Sequence, residues 1–446
     1  MVSNFEKPVI TMWENIRTPL ERFLKIESAG GILLLFSTVM ALFWANFLSI
    51  ESYHHFWHLN LSINVGNFEL SDTILHWIND GLMAVFFFVV GLEIKREFLT
   101  GELSSTKQAI LPIMAAIGGM IVPALMFLLF EHPGLEKDGW GIPMATDIAF
   151  SLGVLSLLGR RVPLSLKVFL VAFAIVDDLG AVLIIALFYN SEVQWFFLIY
   201  AFILLFFLIF LNRVHVNIIP IYVFTGLIIW YLFYLSGVHP TIAGVLVAFT
   251  IPLYRKIKLK TFCSNMENNL KPYCNSTDEP ANLNHDQLEA IDTIESQLRQ
   301  VQSPLQSLEH SLHDFTTFIV MPLFALANAG VVFGGTAGTN LFAGLSSEIT
   351  SSLFIGKVLG ITIFSWVAVK LRLAILPRNV NWINVIGIGL LGGMGFTMSL
   401  FISNLAYGPG ALNDAAKIGI LVGSFLAGLS GYLVLRFSLG KKSKLS

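Results

Sequence analysis

The chain is short of charge. Asp, Glu, Lys and Arg make up 13% of its 446 residues, against about 25% in an ordinary soluble protein. With 55% of the chain hydrophobic, that deficit excludes a globular protein with a charge-coated surface. The net charge of −2 points to no particular partner, and no nucleic-acid partner is expected. Only two cysteines are present, Cys263 and Cys274, too few for a disulfide framework. Together with His285 they match no standard zinc spacing. They read as structural filler, and no cofactor is expected. A signal peptide is lacking too. The first apolar run begins near Ala29, behind a charged segment without a short apolar core or an A-x-A cleavage site.

What is there instead is a series of long apolar runs. They fall near 29–50, 73–94, 108–130, 141–159, 168–189, 194–212, 216–236, 238–254, 314–334, 350–369, 382–406 and 412–436. Most approach the ~20 residues a helix needs to cross a bilayer. The fold expected is therefore an all-α polytopic membrane protein of about twelve transmembrane helices. Spans seven and eight nearly abut at Ser236-Gly237. Between the first two spans, LNLSINVGNFELS (Leu59 to Ser71) alternates apolar and polar residues about Gly66-Asn67. That pattern predicts a small extracytoplasmic β-hairpin.

Positive charge sets the orientation. If both termini are cytoplasmic, Lys137 and Lys417 fall outside and Lys357 lies within a span. Every other Lys and Arg of the 27 then sits in or beside cytoplasmic segments, among them Lys95-Arg96, Arg160-Arg161, Arg255-Lys256, Arg372 and Lys441-Lys442. This is the positive-inside bias. The organisation expected is a cytoplasmic segment 1–28, spans one to eight over 29–254, a polar cytoplasmic loop 255–306, spans nine to twelve over 307–437, and a tail 438–446. The loop is rich in Asn, Gln, Glu and Ser, with a short helix expected through Gln287–Gln302.

Ionisable residues inside the spans are few enough to weigh singly. AIVDDLGAVLII (174–185) sets Asp177 and Asp178 in an apolar run, where each acid costs on the order of 2.5–3.5 kcal/mol on insertion scales. Asp147 and Thr146 lie in GIPMATDIAFSLG (141–153), and Lys357 lies in FIGKVLG (354–360). Asp80 and Glu93 stand toward the ends of span two, and Asp80 reads as an ordinary end residue. A buried structural ion pair accounts for part of the internal group. Three acids and one base still leave surplus negative charge, which a cation or protons must balance. Neighbouring helical residues point ~100° apart, so one Asp can face a cavity while the other faces a packed helix. Carboxylates this close resist simultaneous ionisation. A site that accepts either protons or a hard, oxygen-seeking cation is an exchanger by competition, with Na+ or Li+ the metal expected at Asp177 and Asp178.

Glycine gives a second clue. The fourth span is short and interrupted by Gly141, Pro143 and Gly153. The eleventh carries Gly387, Gly389, Gly392, Gly393 and Gly395. Two such segments in corresponding places point to broken helices four and eleven, with spans three to five and ten to twelve as inverted repeats. Partial charges at half-helix ends are what Asp147 and Lys357 are suited to offset.

WINDGLMAVFFFVVGLEIKRE (77–97), GIPMATDIAFSLG (141–153), AIVDDLGA (174–181), SGVHPTIAGVLVAF (236–249), SLEHSLH (307–313), PLFALANAG (322–330), GKVLGI (356–361) and GGMGFTMSLFI (392–402) occur in that order. The sequence resembles the NhaA family of bacterial Na+/H+ antiporters through these stretches, which span nearly the whole chain. The resemblance implies that Asp177 and Asp178 are the ion- and proton-binding pair, that Lys357 pairs with an aspartate of the site, and that Asp147 and Thr146 occupy the unwound fourth helix. It implies a pH-responsive cytoplasmic cluster of Glu93, Arg96, Glu309 and His310, with His239 also involved. It further implies the bacterial inner membrane, a homodimer joined partly through the hairpin, and electrogenic exchange. The 256–303 insertion departs from the family pattern and is expected to tune pH dependence.

The expected activity is exchange of cytoplasmic Na+ or Li+ for external protons by alternating access, and no enzymatic activity is expected. Three alternatives compete. A sodium-coupled organic solute symporter needs a further polar pocket, for which no cluster is visible. An intramembrane aspartyl protease needs opposed carboxylates, which adjacent residues of one helix cannot supply. A cation channel is the third.

Overall fold

The computed structural model describes residues 29–66, 68–130, 134–190, 193–255, 257, 261–266, 269, 285–332 and 344–440. The expected cytoplasmic segment 1–28, Asn67, Cys274, much of the polar loop and Lys441-Lys442 lie outside them.

Apolar segments become helices because a backbone in hydrocarbon must satisfy its own hydrogen bonds. Helix α1 (Ala29–Phe43) runs on through a π-helical turn, Trp44–Leu48. Helix α2 (Ile50–Trp57) follows, its first turn capped by the Ser49 hydroxyl; the apolar pattern did not anticipate it as a separate element. Strands β1 (Asn60–Val65) and β2 (Phe68–Thr73) pair antiparallel, Asn60 with Thr73 through Val65 with Phe68. The hairpin is where the alternation predicted it, starting one residue later and ending two residues later. Gly66 takes the left-handed φ of 61° the turn requires.

Helices α3 (Ile74–Thr100) and α4 (Thr106–Leu128) come next. A 3-10 stretch (Gly134–Met144) leads to α5 (Ile148–Ser156), followed by α6 (Leu164–Phe188), α7 (Trp195–Arg213), α8 (Ile219–Ser236) and α9 (Pro240–Thr250). In the polar loop α10 covers His285–Val301, matching the helix expected there to within two residues. Then come α11 (Pro304–Phe315), a π-helical turn (Thr316–Val320), α12 (Met321–Asn328), α13 (Leu345–Lys370), α14 (Trp382–Gly392), α15 (Phe396–Tyr407) and α16 (Ala411–Ser438).

Among the described residues, eight helices are long and apolar enough to cross a membrane. The count is nine if α14 and α15, bent by 44°, make one span. That is a multi-pass membrane architecture. Outward rings such as Phe196, Phe206 and Phe210 on α7 are more than 60% exposed, as a lipid-facing helix permits. Expected spans four, eight and nine take other forms. The fourth is broken by Gly and Pro, α9 has only 11 residues, and the helical run 304–328 opens on the polar sequence PLQSLEHSLHDF.

Helices α4 and α13 meet at Gly118 and Gly360, where a Cβ on either would collide with the carbonyl oxygen of the other. Small residues let the two backbones touch. This contact, beside a π-helical turn at Ser352–Gly356, sets the position of Lys357.

Candidate functional site

The site forms where two broken elements cross. Eleven residues of 3-10 helix is long for a geometry that rarely exceeds 3–4 residues. Pro143 lies within it and gives no N–H to continue the ladder. The chain then passes through residues 145–147 before α5 begins, with Asp147 in extended conformation as its N-cap. Opposite, α14 stops at Gly392 and α15 starts at Phe396.

The two breaks are stitched together. The Asp147 N–H donates to the Met394 carbonyl at 2.7 Å. The hydroxyls of Thr146 and Ser151 donate to the carbonyls of Gly392 and Leu391, each at 2.8 Å, and Ser399 donates to the Ile142 carbonyl at 2.7 Å. Asp147 Oδ1 accepts from the Phe150 N–H at 2.9 Å. Its Oδ2 accepts from the Thr397 N–H at 3.2 Å and the Thr397 hydroxyl at 2.5 Å. One carboxylate thus serves the N-termini of both α5 and α15, each carrying roughly half a positive charge. The C-terminal carbonyls of α14 face the other way, toward Thr146 and, through it, a cation.

That cation is Lys357. Its Nζ donates to the Thr146 hydroxyl at 2.9 Å and to Asp177 Oδ2 at 2.8 Å, and it lies 5.7 Å from the centre of the Phe173 ring. Lys357 is fully buried, and Asp147, Asp177 and Asp178 are each 1% exposed. Asp178 feels the like charges of Asp177, Asp147 and, farther off, Glu93, offset by Lys357 alone. Asp177 Oδ1 and Asp178 Oδ1 are buried without a hydrogen-bond partner. An uncompensated buried charge costs several kcal/mol. Lys357 offsets the charge of Asp177, so an ionised Asp178 would carry that cost unless a further group compensated it. Among the described residues no three His, Cys, Asp or Glu side chains group as metal ligands, so a cation here would draw on one or two carboxylates and neutral oxygens.

Of the other expected residues, Glu93, Arg96 and Glu309 come together at the C-terminal end of α3. Arg96 Nη1 reaches Glu309 Oε1 at 2.7 Å, and its Nη2 reaches Glu97 at 2.9 Å. His310 is exposed. It is His313 Nδ1 that stands 3.7 Å from Glu93 Oε1. His239 occupies the N-cap position of α9 without a side-chain capping bond and lies near Asp80 and His76. Asp80 and Glu93 are thirteen residues apart on α3, about 20 Å along the axis, so His239 belongs to the opposite end. Cys263 is an exposed free thiol.

Sequence reasoning missed Thr397, although a hydroxyl just beyond the glycine break of the eleventh run is a usable signal. The sequence marks Lys95 only as a cytoplasmic-end charge; its Nζ in fact caps α9 at the carbonyls of Phe249 (2.7 Å) and Ile251 (2.5 Å). A further omission is a partly buried amide chain. Asn328 donates to Asn79 at 2.8 Å, Asn404 to Asn328 at 2.6 Å and Asn413 to Asn404 at 2.8 Å.

A family model described as Na+/H+ antiporter 1 matches residues 21–435. The chain is 46% identical over 430 residues to the Na(+)/H(+) antiporter NhaA 2 of Syntrophotalea carbinolica, covering 96% of this chain and 98% of that protein. It is 46% identical over 425 residues to the Na(+)/H(+) antiporter NhaA of Oleidesulfovibrio alaskensis, with 95% and 94% covered. With the Na(+)/H(+) antiporter NhaA of Bacteroides fragilis the identity is 43% over 433 residues, with 95% and 98% covered.

Proposed function

The chain belongs to the Na+/H+ antiporter 1 family, and from that premise we propose a mechanism in which Na+ and protons compete for the carboxylates of Asp177 and Asp178. The protein is a Na+/H+ exchanger. The observation that carries the mechanism is the pair of open, buried oxygens, Asp177 Oδ1 and Asp178 Oδ1, beside a lysine that already neutralises one acid.

Facing the cytoplasm, Asp178 and Asp177 release protons and take Na+ or Li+. The site turns outward, the cation leaves and protons return. Lys357 balances Asp177 when the site is empty, and Thr146 and Asp147 hold the crossed breaks in register through the turn. More protons enter than cations leave, so the potential drives the cycle by about 2.3 kcal/mol per elementary charge per 100 mV. The setting is the inner membrane, with both termini cytoplasmic and twelve spans. In that count the 3-10 stretch with α5, α9, and the stretch 316–328 that follows α11 cross with the help of their neighbours. Spans three to five and ten to twelve form inverted repeats around the site. Two protomers associate through the β1–β2 hairpin. Glu93, Arg96 and Glu309, with His313 in the role expected of His310, tune activity with pH at the cytoplasmic entrance, and the 256–303 segment modulates that tuning. His239, at the other end of α3, contributes to the pH response from the extracytoplasmic side.

Everted membrane vesicles test the reading. Adding Na+ or Li+ should collapse a preformed ΔpH in wild type. Asp178→Asn, expressed and inserted normally, should show at least a hundredfold less. Robust exchange in the variant would remove Asp178 from the mechanism. A rate dependent on an organic solute would favour the symporter alternative.

A further inference from the structure

The eleven-residue 3-10 stretch, Gly134–Met144, is longer than that geometry sustains by itself, and hydroxyls from two neighbouring helices hold its carbonyls. Tyr407, the last residue of α15, donates its hydroxyl to the Glu136 carbonyl at 2.8 Å. Tyr189, directly after α6, donates to the Asp138 carbonyl at 2.6 Å and accepts from the Gly141 N–H at 3.3 Å. Ser399 on α15 holds the Ile142 carbonyl. Two glycines make room for the phenols. A Cβ on Gly139 would collide with the Tyr407 hydroxyl, and one on Gly141 would stand 2.7 Å from the Tyr189 hydroxyl. Neither glycine has a left-handed φ, so what the residue type supplies here is space. The Trp140 ring packs edge-on against Phe188 at 5.1 Å, which keeps the same end of the stretch against α6.

The inner end of the stretch is fixed as well. Two residues beyond Met144, the Thr146 hydroxyl accepts from Lys357, which also holds Asp177, and the Asp147 carboxylate is bonded to Thr397. Helix α6 is therefore joined to this segment twice, at Tyr189 and, through Lys357, at Asp177. Those points are twelve residues, or about 18 Å, apart along the helix. Helix α15 is joined twice too, at Tyr407 and Thr397, ten residues or about 15 Å apart. In both loops a regular α-helix braces a much weaker element. A 3-10 helix rises ~2.0 Å per residue and an α-helix ~1.5 Å. Relaxing the eleven residues to an α-helix would shorten them by about 5 Å, far more than a hydrogen bond tolerates.

We propose that Tyr189 and Tyr407 are positioning residues for exchange. Their hydroxyls tether the 3-10 stretch at its full length between α6 and α15, and so set where Thr146 and Asp147 meet Lys357 and Thr397. Neither phenol touches the ion site. Without them the stretch frays or shortens from its outer end, and Thr146 loses its hold on Lys357. A lysine freed of Thr146 stays on Asp177 and competes harder with an incoming cation, so Na+ is bound more weakly while the turnover of a loaded site is unchanged. The consequence for Na+ rests on the exchange mechanism proposed above; the tether itself does not.

The double variant Tyr189→Phe/Tyr407→Phe keeps both rings and removes only the hydroxyls. Hydrogen–deuterium exchange of the purified protein, read by mass spectrometry, should show the amides of 136–147 exchanging at least tenfold faster than in wild type, with those of α7 and α8 unchanged. In everted vesicles the Na+ concentration for half-maximal ΔpH collapse should rise at least threefold, with the maximal rate within twofold of wild type. Gly141→Ala separates tethering from packing. It crowds the Tyr189 hydroxyl, so it should raise the half-saturating Na+ in the wild-type background and add little in Tyr189→Phe, where that hydroxyl is gone. Amides of 136–147 that exchange at the wild-type rate in the double variant would overturn the tether. So would equal damage by Gly141→Ala in both backgrounds, or a lower maximal rate with half-saturation unmoved. If Asp178→Asn retains exchange while the double variant loosens the amides, the tether stands and the ion-site reading falls.

Discussion

Two groups of acids and bases, one around Asp177 on α6 and one around Arg96 at the C-terminal end of α3, are built on opposite plans. Around Asp177 everything is dry: Asp147, Asp177, Asp178 and Lys357 are at most 1% exposed. The bases are outnumbered, and two oxygens go unpaired. Around Arg96 everything is wetter, with the Arg96 and His313 side chains 37% and 57% exposed. There Arg96 and His313 each have an acid beside them. The first arrangement leaves an ionised Asp178 in need of a further group. The second is already complete, and water and salt soften every change in it. The proposed mechanism assigns the ion chemistry to the first and its adjustment to the second.

That contrast can be broken by experiment. The largest effect belongs to Lys357→Ala, which strands the buried Asp177 carboxylate. Breaking a buried pair costs ~3–5 kcal/mol, so the thermal midpoint in detergent should fall steeply, and adding Asp177→Asn should recover most of the loss. If the double variant is no better than the single, Asp177 is not the charge that Lys357 compensates. Asp147→Ala should come next. It leaves the N-termini of α5 and α15 without their shared carboxylate, at about 0.5–2 kcal/mol for each end, with Asp147→Asn milder because an amide oxygen still accepts. Arg96→Ala in the wetter cluster should cost less than about 1 kcal/mol, and less again in high salt. A loss equal to that of Lys357→Ala would erase the distinction between the two regions.

The smallest effect concerns pH. Glu93 lifts the His313 imidazole above its ordinary value. Because the shift is upward, the His313–Glu93 attraction holds below the ordinary histidine value and is lost as pH rises through the raised one. His313 sits on α11, ahead of the ninth span, so the contact between α11 and α3 loosens on the alkaline side. His313→Gln should remove that step and move the pH–activity profile by a few tenths of a unit toward acid, with the maximal rate unchanged. His310→Gln, altering an exposed side chain, should leave the profile where it is. The reverse pattern would return the role to His310.

Much of the site was legible because intramembrane charges are few, and each must be explained. Asp147, Asp177, Asp178 and Lys357 could be picked out singly, and clustered glycine marked the break in the eleventh run. The hairpin followed from period-two alternation and a Gly-Asn turn. Other features were hidden because they depend on rotation about a helix axis or on partners distant in sequence. His310 and His313 are one turn apart in SLEHSLH, and only the packing of α11 on α3 decides which meets Glu93. Thr397 is one of several hydroxyls in the eleventh run, and its role appears only when α15 is set against Asp147. The amide chain from Asn79 to Asn413 joins four segments no local pattern relates. Span number was obscured by the same breaks that make the site, since a helix interrupted by Pro143 or bent at Gly393 is no longer one long apolar run.

The central claim is that Na+ and protons occupy the same buried carboxylates in turn. Isothermal titration of the purified protein with Na+, in two buffers of different ionisation enthalpy, counts protons released for each cation bound. Wild type should release at least one proton per Na+ near neutral pH, falling as pH rises, and Asp178→Asn should show neither cation binding nor proton release. Na+ binding with no proton released, or undiminished binding in Asp178→Asn, would contradict it.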